Sequence, residues 1–292
     1  MTLSVLIIHN PVAGRRSQTR VTRLFERLSE RGIEVNVKPT SRRGDARETA
    51  RLVGDVDVIV AAGGDGTVNE VIDGLAARDG NLSCPAVAFL PLGTSNVLAW
   101  ELALPKDPDE LARLITANTR LMVHPGIANG RRFILMASTG LDARAVAAVK
   151  PTIKRVIGAG AYVVAAFTAL RQPAPLYRVN VDGRDFEART VIVTRARCYG
   201  GAFMLAPNAG LETAAFQVVM MPSYGIFSAL KYGLALALGR LHRLADVTVM
   251  PGMTVEIAGP SGDPVQIDGD IATGLPLSLS VDKRAIPFIV AK

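Results

Sequence analysis

Apolar positions repeat with two different periods along the first 120 residues. Short, almost wholly apolar runs predict buried strands at Leu3 to His9, Ile33 to Lys38, Val56 to Ala62 and Ala86 to Leu90. Between these runs, spacings of three to four residues predict helices at Ser17 to Arg31, Asp45 to Val53, Val68 to Ala77 and from the Pro91 turn through Leu102. We expect Gly32 to end the first helix and Asp45 to cap the second. Strands alternating with helices are typical of a parallel α/β sheet, which binds ligands at the carboxyl ends of its strands.

The pattern changes from about Ala128, where short β-rich runs punctuated by Gly and Pro take over. They predict strands at Phe133 to Ser138, Tyr177 to Val181, Thr190 to Thr194, Phe216 to Met221, Val247 to Met250, Thr254 to Ile257, Val265 to Ile267 and Leu277 to Val281. Helices are predicted at Lys150 to Leu170 and Ser223 to Leu238. This is the pattern of an antiparallel sheet domain. We therefore expect a boundary near residues 122 to 128, with domains at 1–124 and 125–284.

Composition removes several classes of protein. The 292 residues are 49% hydrophobic, so the chain can bury a core and wholesale disorder is excluded. Cys84 and Cys198 stand far apart without a Cys-x-x-Cys motif, which argues against a zinc site or a disulfide framework and favours a reducing compartment. No uncharged apolar run reaches 18 residues, and Met1 to Ile8 is too short for a signal peptide, so we expect a cytoplasmic protein.

Positive charge is unevenly distributed. Lys and Arg number 33 against 26 acidic residues, a net charge of +7. The window from Lys150 to Arg197 alone carries +6, from Lys150, Lys154, Arg155, Arg171, Arg178, Arg184, Arg189, Arg195 and Arg197 against Asp182, Asp185 and Glu187. Such a window is either a solvated face or a surface for phosphate or anionic lipid. With 5% aromatic residues and no recognisable motif, a nucleic-acid partner is not expected.

Gly63 to Glu70, with the sequence Gly-Gly-Asp-Gly-Thr-Val-Asn-Glu, is the strongest chemical signal. It follows a predicted strand and opens a predicted helix. Glycines let the backbone approach a ligand closely, and the first amides of a helix favour phosphate. Asp65 is an acid inside this anion-binding loop, which suggests a role with Mg²⁺ or a transferred proton. Asn69 breaks the dinucleotide fingerprint, and no Gly-Lys-Ser/Thr is present for a Walker loop.

Three further loops carry candidate chemistry. Asn10 to Arg16 and Pro91 to Asn96 each follow a predicted strand and precede a helix, so they are expected at the same edge of the sheet as Gly63 to Thr67. The third, Asp268-Gly269-Asp270, lies in the β-rich half. Its two carboxylates indicate either a hairpin turn or a general base with its partner.

Together these loops resemble the diacylglycerol kinase catalytic family, which includes sphingosine, ceramide and bacterial lipid kinases. Asn10-Pro11-x-x-Gly14, Thr40 with Gly44-Asp45-Ala46, Gly63 to Glu70, Pro91-x-Gly93-Thr94-x-Asn96 and Asp268-Gly269-Asp270 match its motifs in order. The resemblance implies an N-terminal three-layer α/β nucleotide-binding domain, a C-terminal antiparallel β-sandwich domain that holds the lipid substrate, and a return of residues 285–292 to the first domain.

The resemblance also implies roles for individual residues. The expected ATP contacts are Asn10, Pro11, Val12, Ala13, Gly14, Thr40, Gly63, Gly64, Asp65, Gly66, Thr67, Val68, Asn69, Glu70 and Thr94. Asp270 stands where the family has its proton-accepting Glu, with Asp268 as the other base candidate, and Asp65 would organise the ATP-bound Mg²⁺. The chain departs from bacterial members at Val97, at His124-Pro125 and at Leu211-Glu212-Thr213-Ala214. These departures predict an incomplete aspartate network and no structural metal.

The resulting hypothesis is an ATP- and Mg²⁺-dependent kinase for a lipid alcohol such as diacylglycerol or a sphingoid base. It would visit the anionic inner face of the membrane transiently, using the basic window and whichever of Val156 to Leu170 or Gly225 to Leu241 is exposed. Two alternatives stay open: a kinase of soluble substrates of the NAD kinase type, and a non-catalytic or weakly active regulator that binds lipid or nucleotide. A homodimer is also left open.

Overall fold

The computed structural model describes residues 3–14, 16–78, 84–148, 170 and 175–291. The chain forms two compact units, Met1–Pro125 together with Arg284–Lys292, and Gly126–Lys283. The predicted helix at 150–170 falls almost wholly outside the described residues. In the part of the chain that is described, no helix combines the length and apolar character needed to span a bilayer.

The first unit contains six strands and five helices among its described residues. They are β1 (Ser4–His9), α1 (Ser17–Ser29), β2 (Glu34–Pro39), α2 (Asp45–Leu52), β3 (Val58–Gly63), α3 (Asp65–Ala76), β4 (Ala86–Pro91), α4 (Val97–Glu101), α5 (Pro108–Ala117), β5 (Arg120–Val123) and, from the end of the chain, β20 (Ile286–Ile289). The sheet order is β2-β1-β3-β4-β20-β5. All neighbours are parallel except β20 and β5.

Three layers result from the alternation of side chains along these strands. Val5 and Ile7 of β1 point to the face that is covered by Leu24 of α1 and Leu111 of α5, and these residues share one core. Helices α2 and α3 contact each other, and α3 also contacts β3. Buried residues of α3 such as Ile72 lie outside the α1–α5 core, as expected for a layer on the opposite face.

The second unit is an antiparallel β-sandwich. Its described elements are β6 (Gly126–Ala128), β7 (Arg131–Phe133), β8 (Met136–Thr139), α6 (Leu141–Ala148), β9 (Tyr177–Val181), β10 (Arg184–Ala188), β11 (Thr190–Thr194), β12 (Cys198–Tyr199), β13 (Phe203–Met204), β14 (Phe216–Met221), α7 (Ile226–Ala237), a 3-10 turn (Leu241–Arg243), β15 (Thr248–Gly252), β16 (Thr254–Ala258), β17 (Pro264–Ile267), β18 (Asp270–Gly274) and β19 (Leu277–Val281). The sheets run β10-β9-β16-β19-β6-β7 and β15-β14-β11-β8-β17-β18, with a separate β12-β13 pair. Inward residues of both large sheets form one core, in which the Phe133 and Phe216 rings stack with centroids 5.9 Å apart.

Several predicted elements agree with the structure to the residue, namely the strands Tyr177–Val181, Thr190–Thr194, Phe216–Met221 and Leu277–Val281. The predicted strand Phe133 to Ser138 is wrong, because the chain leaves one sheet after Phe133 and enters the other at Met136. Helix α3 begins at Asp65 rather than Val68.

Three other details of the first unit differ from the prediction. Gly44, not Asp45, is the N-cap residue of α2. The Asp45 carboxylate instead accepts the amides of Ser41 and Arg42 at 2.7 and 3.0 Å. Helix α5 and strand β5 were not predicted, although Asp107 before Pro108 is a helix-start signal, with the Asp107 side chain accepting the Asp109 amide.

Candidate functional site

Three of the predicted nucleotide loops meet at the carboxyl ends of β1, β3 and β4. The Asn10 amide donates to the carbonyl oxygen of Ala62 at 2.9 Å, and the Leu92 amide donates to that of Gly63 at 2.7 Å. These main-chain bonds join the loop after each strand to the neighbouring strand. The structure therefore brings Asn10 to Gly14, Gly63 to Thr67 and Pro91 to Asn96 together, as their positions in the sequence predict.

Glycine is required where these loops touch. Gly14 has a φ of +87°, and a Cβ there would lie 2.6 Å from the carbonyl oxygen of Leu92. A Cβ at Gly93 would lie 2.8 Å from Gly64 Cα and 2.8 Å from Asn96 Oδ1. No side chain fits at such distances, so the backbones of the three loops pack directly on one another.

Asp65, the acid inside the glycine-rich loop, ties two helices together. Its Oδ2 accepts the Val97 amide at 3.0 Å and its Oδ1 accepts the Leu98 amide at 3.1 Å. Burial raises the pKa of Asp65, and these main-chain hydrogen bonds act in the opposite direction. Asp65 thus fixes the start of α4 against the start of α3. Both carboxylate oxygens already accept main-chain amides, which makes this structural role the one that is observed. The role of Asp65 with Mg²⁺ stays a prediction.

The second predicted nucleotide segment is held beside the first. Thr40 donates its amide to the carbonyl oxygen of His9 at 2.8 Å, and Glu70 Oε1 accepts the Gly44 amide at 3.0 Å. Gly66 and Thr94 are exposed, as are Pro11 and Val12. Val68 is different, because its side chain is fully buried and can offer a ligand nothing.

The Asp268-Gly269-Asp270 turn connects β17 to β18, and its two acids have different environments. Asp268 has a φ of +48°, and its carboxylate accepts the amides of Ile134, Leu135 and Met136 at 2.8, 2.9 and 2.9 Å. It therefore holds the segment that crosses between the two sheets, which argues against Asp268 as the base. Asp270 is exposed at the start of β18 and remains the candidate.

A buried polar cluster lies behind that turn. The Gly269 amide donates to Gln266 Oε1 at 2.8 Å, and Gln266 Nε2 donates to Asp142 Oδ2 at 3.1 Å. Ser138 Oγ and the Tyr199 hydroxyl also donate to Asp142. No motif singled out Asp142. The signal was its position, an acid at the start of a helix directly after the Ser138-Thr139-Gly140 strand end.

Asp142 also lines a largely apolar cavity of about 470 Å³ in the second unit. Hydrophobic walls come from α6, β11, β14, α7 and the residue after β13, with Leu141, Ile192, Leu205, Met221, Leu230 and Leu236 among the lining residues. Polar lining comes chiefly from Asp142, Thr190, Ser223 and three tyrosines, Tyr199, Tyr224 and Tyr232. An apolar cavity of this size with a few polar groups is typical of small-molecule sites.

The loop after Gly210, where the family implies a structural metal in some members, holds a guanidinium instead. Arg195 is fully buried and donates to the carbonyl oxygens of Leu211, Thr213 and Ala215 at 2.7, 2.6 and 3.0 Å. Burial lowers the pKa of Arg195 to about 10. Because a cationic side chain already occupies these carbonyls, the loop does not fit a metal ion. The described residues contain no group of three or more His, Cys, Asp or Glu that could hold a metal.

Arg195 also corrects the interpretation of the basic window. It is buried and bonded to a loop, so it adds no charge to a surface. Arg178 of β9 stands opposite Glu187 of β10, which offsets part of the remaining charge. Lys150, Lys154, Arg155 and Arg171 lie outside the described residues. Within the described part, the window does not form one uniformly basic face.

Comparison with known proteins defines the class. The model of the diacylglycerol kinase catalytic domain matches residues 4–126, and that of the YegS C-terminal NAD kinase beta sandwich-like domain matches residues 136–290. The chain belongs to the diacylglycerol kinase catalytic family, as the loop motifs indicate.

Its relatives are named as kinases. A diacylglycerol kinase of Staphylococcus saprophyticus is 31% identical over 221 residues, covering 74% of this chain and 72% of the relative. The protein named "Probable lipid kinase YegS-like" of Pseudomonas aeruginosa strain PAO1 is 29% identical over 290 residues, covering 97% and 92%. A crystal structure of a diacylglycerol kinase from Bacillus anthracis shares the fold with a TM-score of 0.77 at 24% identity, covering 99% of this chain and 97% of that one.

Proposed function

We propose that this protein is an ATP-dependent lipid kinase that phosphorylates the hydroxyl group of a lipid alcohol, with diacylglycerol as the first candidate. The observation that carries the proposal is the apolar cavity of the second unit with a few polar residues in its wall. A long acyl chain needs an apolar enclosure, and a hydroxyl needs hydrogen-bonding partners. The cavity offers the enclosure, and the hydroxyl groups of Thr190, Ser223 and its three tyrosines supply partners, whereas the polar substrates of soluble kinases would gain little from its leucine and isoleucine walls.

ATP is assigned to the glycine-packed loops of the first unit. The amides of Gly64, Asp65 and Gly66 stand at the start of the 12-residue helix α3, where the free amides and the helix dipole favour phosphate. Because the loops approach one another without side chains, main-chain amides can reach the phosphate oxygens. In this proposal Mg²⁺ binds only to the ATP phosphates.

Asp270 is assigned as the general base. The lipid hydroxyl oxygen forms a bond to the γ-phosphorus while the bond from that phosphorus to the bridging oxygen of ADP breaks. The hydroxyl proton passes to the Asp270 carboxylate. Asp270 suits this role better than Asp268, because Asp268 already accepts three main-chain amides. Asp142 is assigned to positioning through Tyr199, whose hydroxyl donates to Asp142 and which lines the cavity beside it.

The first test is turnover of Mg-ATP with a panel of lipid alcohols in mixed micelles, read by mass spectrometry. The panel contains dioleoylglycerol, monooleoylglycerol, ceramide and sphingosine. We expect a phosphorylated product from at least one lipid, and about a 100-fold or greater loss of kcat in Asp270→Asn. ATP binding without hydrolysis and without any lipid product would instead support the non-catalytic regulator.

A second test asks whether the acyl chain occupies the cavity. Ala229 lines the cavity, while Ala237 lies on the same helix, is exposed and does not line it. Ala229→Phe should raise KM for dioleoylglycerol at least tenfold and affect dihexanoylglycerol less, because only the longer chains need the full volume. Ala237→Phe is the matched control. Equal KM values for the long-chain lipid in both variants would place the acyl chain elsewhere.

A further inference from the structure

Helix α7 carries a row of exposed apolar side chains. Phe227 is 85% exposed, and Leu230, Leu234 and Leu238 follow at spacings of three, four and four residues with exposures of 55, 64 and 62%. Ile226, at the start of the helix, is also exposed. We call these five residues the α7 stripe. Single exposed hydrophobic residues are ordinary, but a row along one helix face marks an interaction surface.

The α7 stripe is continuous with the cavity wall. Leu230 and Leu234 belong to the stripe and also line the cavity. The opposite side of the helix is anchored, because Tyr232 and Ala235 are buried and the Tyr232 hydroxyl donates to Asp246 at 2.7 Å. A ligand that reaches the cavity along these two leucines would therefore pass beside the exposed row.

The charged residues in the segment that contains the stripe have one sign. From Pro222 to Ala245 the sequence contains no Asp or Glu, while Lys231, Arg240 and Arg243 are exposed. The Lys231 ammonium is 2.7 Å from the Asp246 carboxylate, so that residue is partly neutralised. Arg240 and Arg243 follow the end of the helix. An apolar face flanked by cations complements a surface that is apolar inside and anionic outside, which is the composition of an anionic bilayer.

We propose that the α7 stripe docks this protein on an anionic membrane, with α7 lying in the plane of the interface. The apolar row enters the boundary between headgroups and acyl chains, while Arg240 and Arg243 meet the headgroup phosphates. This places the wall of the cavity at the bilayer surface, where a lipid alcohol can move from one apolar environment into another. The reason for docking rests on the proposed function, but the docking itself is measured independently of turnover.

Binding is tested by co-sedimentation with vesicles of phosphatidylcholine alone and with vesicles that also contain phosphatidylglycerol, whose anionic headgroups attract basic segments. The double variant Phe227→Gln/Leu238→Gln changes the stripe without touching the cavity lining. The control is Leu52→Gln, an equally exposed leucine (63%) on α2. We expect at least a tenfold loss of partitioning in the double variant and none in the control. Undiminished binding of the double variant would overturn the proposal.

The charge component is tested with Arg240→Gln/Arg243→Gln. This variant should lose the preference for anionic vesicles and the weakening of binding by added salt, while its binding to neutral vesicles is retained. A preference for anionic vesicles that survives both substitutions would remove these arginines from the docking surface. If the wild type is a dimer by analytical ultracentrifugation and the Phe227→Gln/Leu238→Gln variant is a monomer, the stripe is an interface between copies and the proposal fails.

A kinase assay separates this proposal from the proposed function. With dihexanoylglycerol presented as dissolved monomers, the stripe variant should match the wild type. With dioleoylglycerol in anionic vesicles it should turn over at least tenfold more slowly. Stripe-dependent vesicle binding by a protein without lipid kinase activity would leave the docking surface standing and remove the proposed function. An equal loss of activity on both substrates would mean that the stripe acts in catalysis rather than docking.

Discussion

The two units hold their candidate site residues in place by different physical means. In the first unit, three loops are fixed mainly by main-chain hydrogen bonds and by glycines that admit no Cβ, as at Gly14 and Gly93, and the Asp65 carboxylate adds bonds to two amides. In the second unit, single charged side chains, fully buried at Arg195 and half-buried at Asp268, each hold a segment that is distant in sequence. Asp268 holds the chain crossing between the sheets, and Arg195 holds the loop after Gly210.

This difference matters for how each region tolerates change. Replacing a tightly packed glycine introduces a steric clash, and the loss of stability depends on whether the neighbouring group can move. Removing a charged side chain of this kind leaves several main-chain groups without hydrogen-bond partners. Each unsatisfied group then adds its own desolvation cost to the loss of stability. We therefore expect the second unit to be more sensitive to loss of a single side chain, and the first to be more sensitive to gain of one.

The largest effect is expected from Arg195→Met. This change removes the donors to the carbonyl oxygens of Leu211, Thr213 and Ala215 while keeping much of the apolar volume. Hydrogen bonds from charged groups contribute about 1.5–3 kcal/mol each, so we expect the free energy of unfolding of the second unit to fall by at least about 3 kcal/mol. The free energy of unfolding is measured by urea denaturation, with circular dichroism as the signal.

Arg178→Met is the control for that experiment, since Arg178 is exposed on β9. Its effect should stay within about 0.5 kcal/mol. If Arg195→Met were equally mild, or if added Mg²⁺ without nucleotide restored the stability of the variant, Arg195 would not be the group that organises this loop.

Asp268→Asn should have the next largest effect. Asn tolerates the positive φ at this position. Its amide nitrogen, however, replaces the oxygen that accepts the Ile134 amide and sets two donors against each other. We expect a loss of about 2 kcal/mol in stability. Asp270→Asn, at the exposed neighbour, should leave stability unchanged while lowering kcat. The opposite pattern, with Asp270 needed for folding and Asp268 for turnover, would reverse the assignment of the two acids.

Gly63→Ala should have the smallest effect of the three and tests the first unit. A Cβ at Gly63 would lie 2.2 Å from Thr67 Oγ1 and 2.6 Å from Thr67 Cβ, so Thr67 must shift together with its backbone, at a cost of about 1–2 kcal/mol, the lower part of the usual range for overpacking. Gly66→Ala is the matched control, because no heavy atom lies within 4 Å of the Cβ it would add. Thermal unfolding without nucleotide compares them. A destabilisation by Gly66→Ala as large as that by Gly63→Ala would contradict the packing explanation, because helix propensity and chain entropy both favour Ala at an uncrowded helical position.

The sequence alone predicted well where the three glycine-containing loops lie, because the physical requirement there is local. A position where the backbone must pack closely has to be glycine, so the sequence shows it directly. Its place after an apolar run puts it at the end of a strand. The edge strands and helices were less well predicted. Helix α5 and strand β5 were missed, and the predicted Phe133–Ser138 strand proved to be two strands, because Asp268, more than 130 residues away, accepts the amides between them.

The sequence therefore determined the types of most elements, the division into two units and the loop motifs that indicate the family. These features depend on hydrophobic periodicity and glycine placement, which act over a few residues. The tertiary structure decided which charged and polar side chains are buried and which groups they contact. Arg195, counted among surface charges from sequence, is buried under the loop at 211–215. Asp142, marked by no motif, lines the cavity through contacts with Gln266 and Tyr199. The partners of a buried polar group come from distant parts of the chain, so only the folded arrangement shows whether that group supports the structure or faces a ligand.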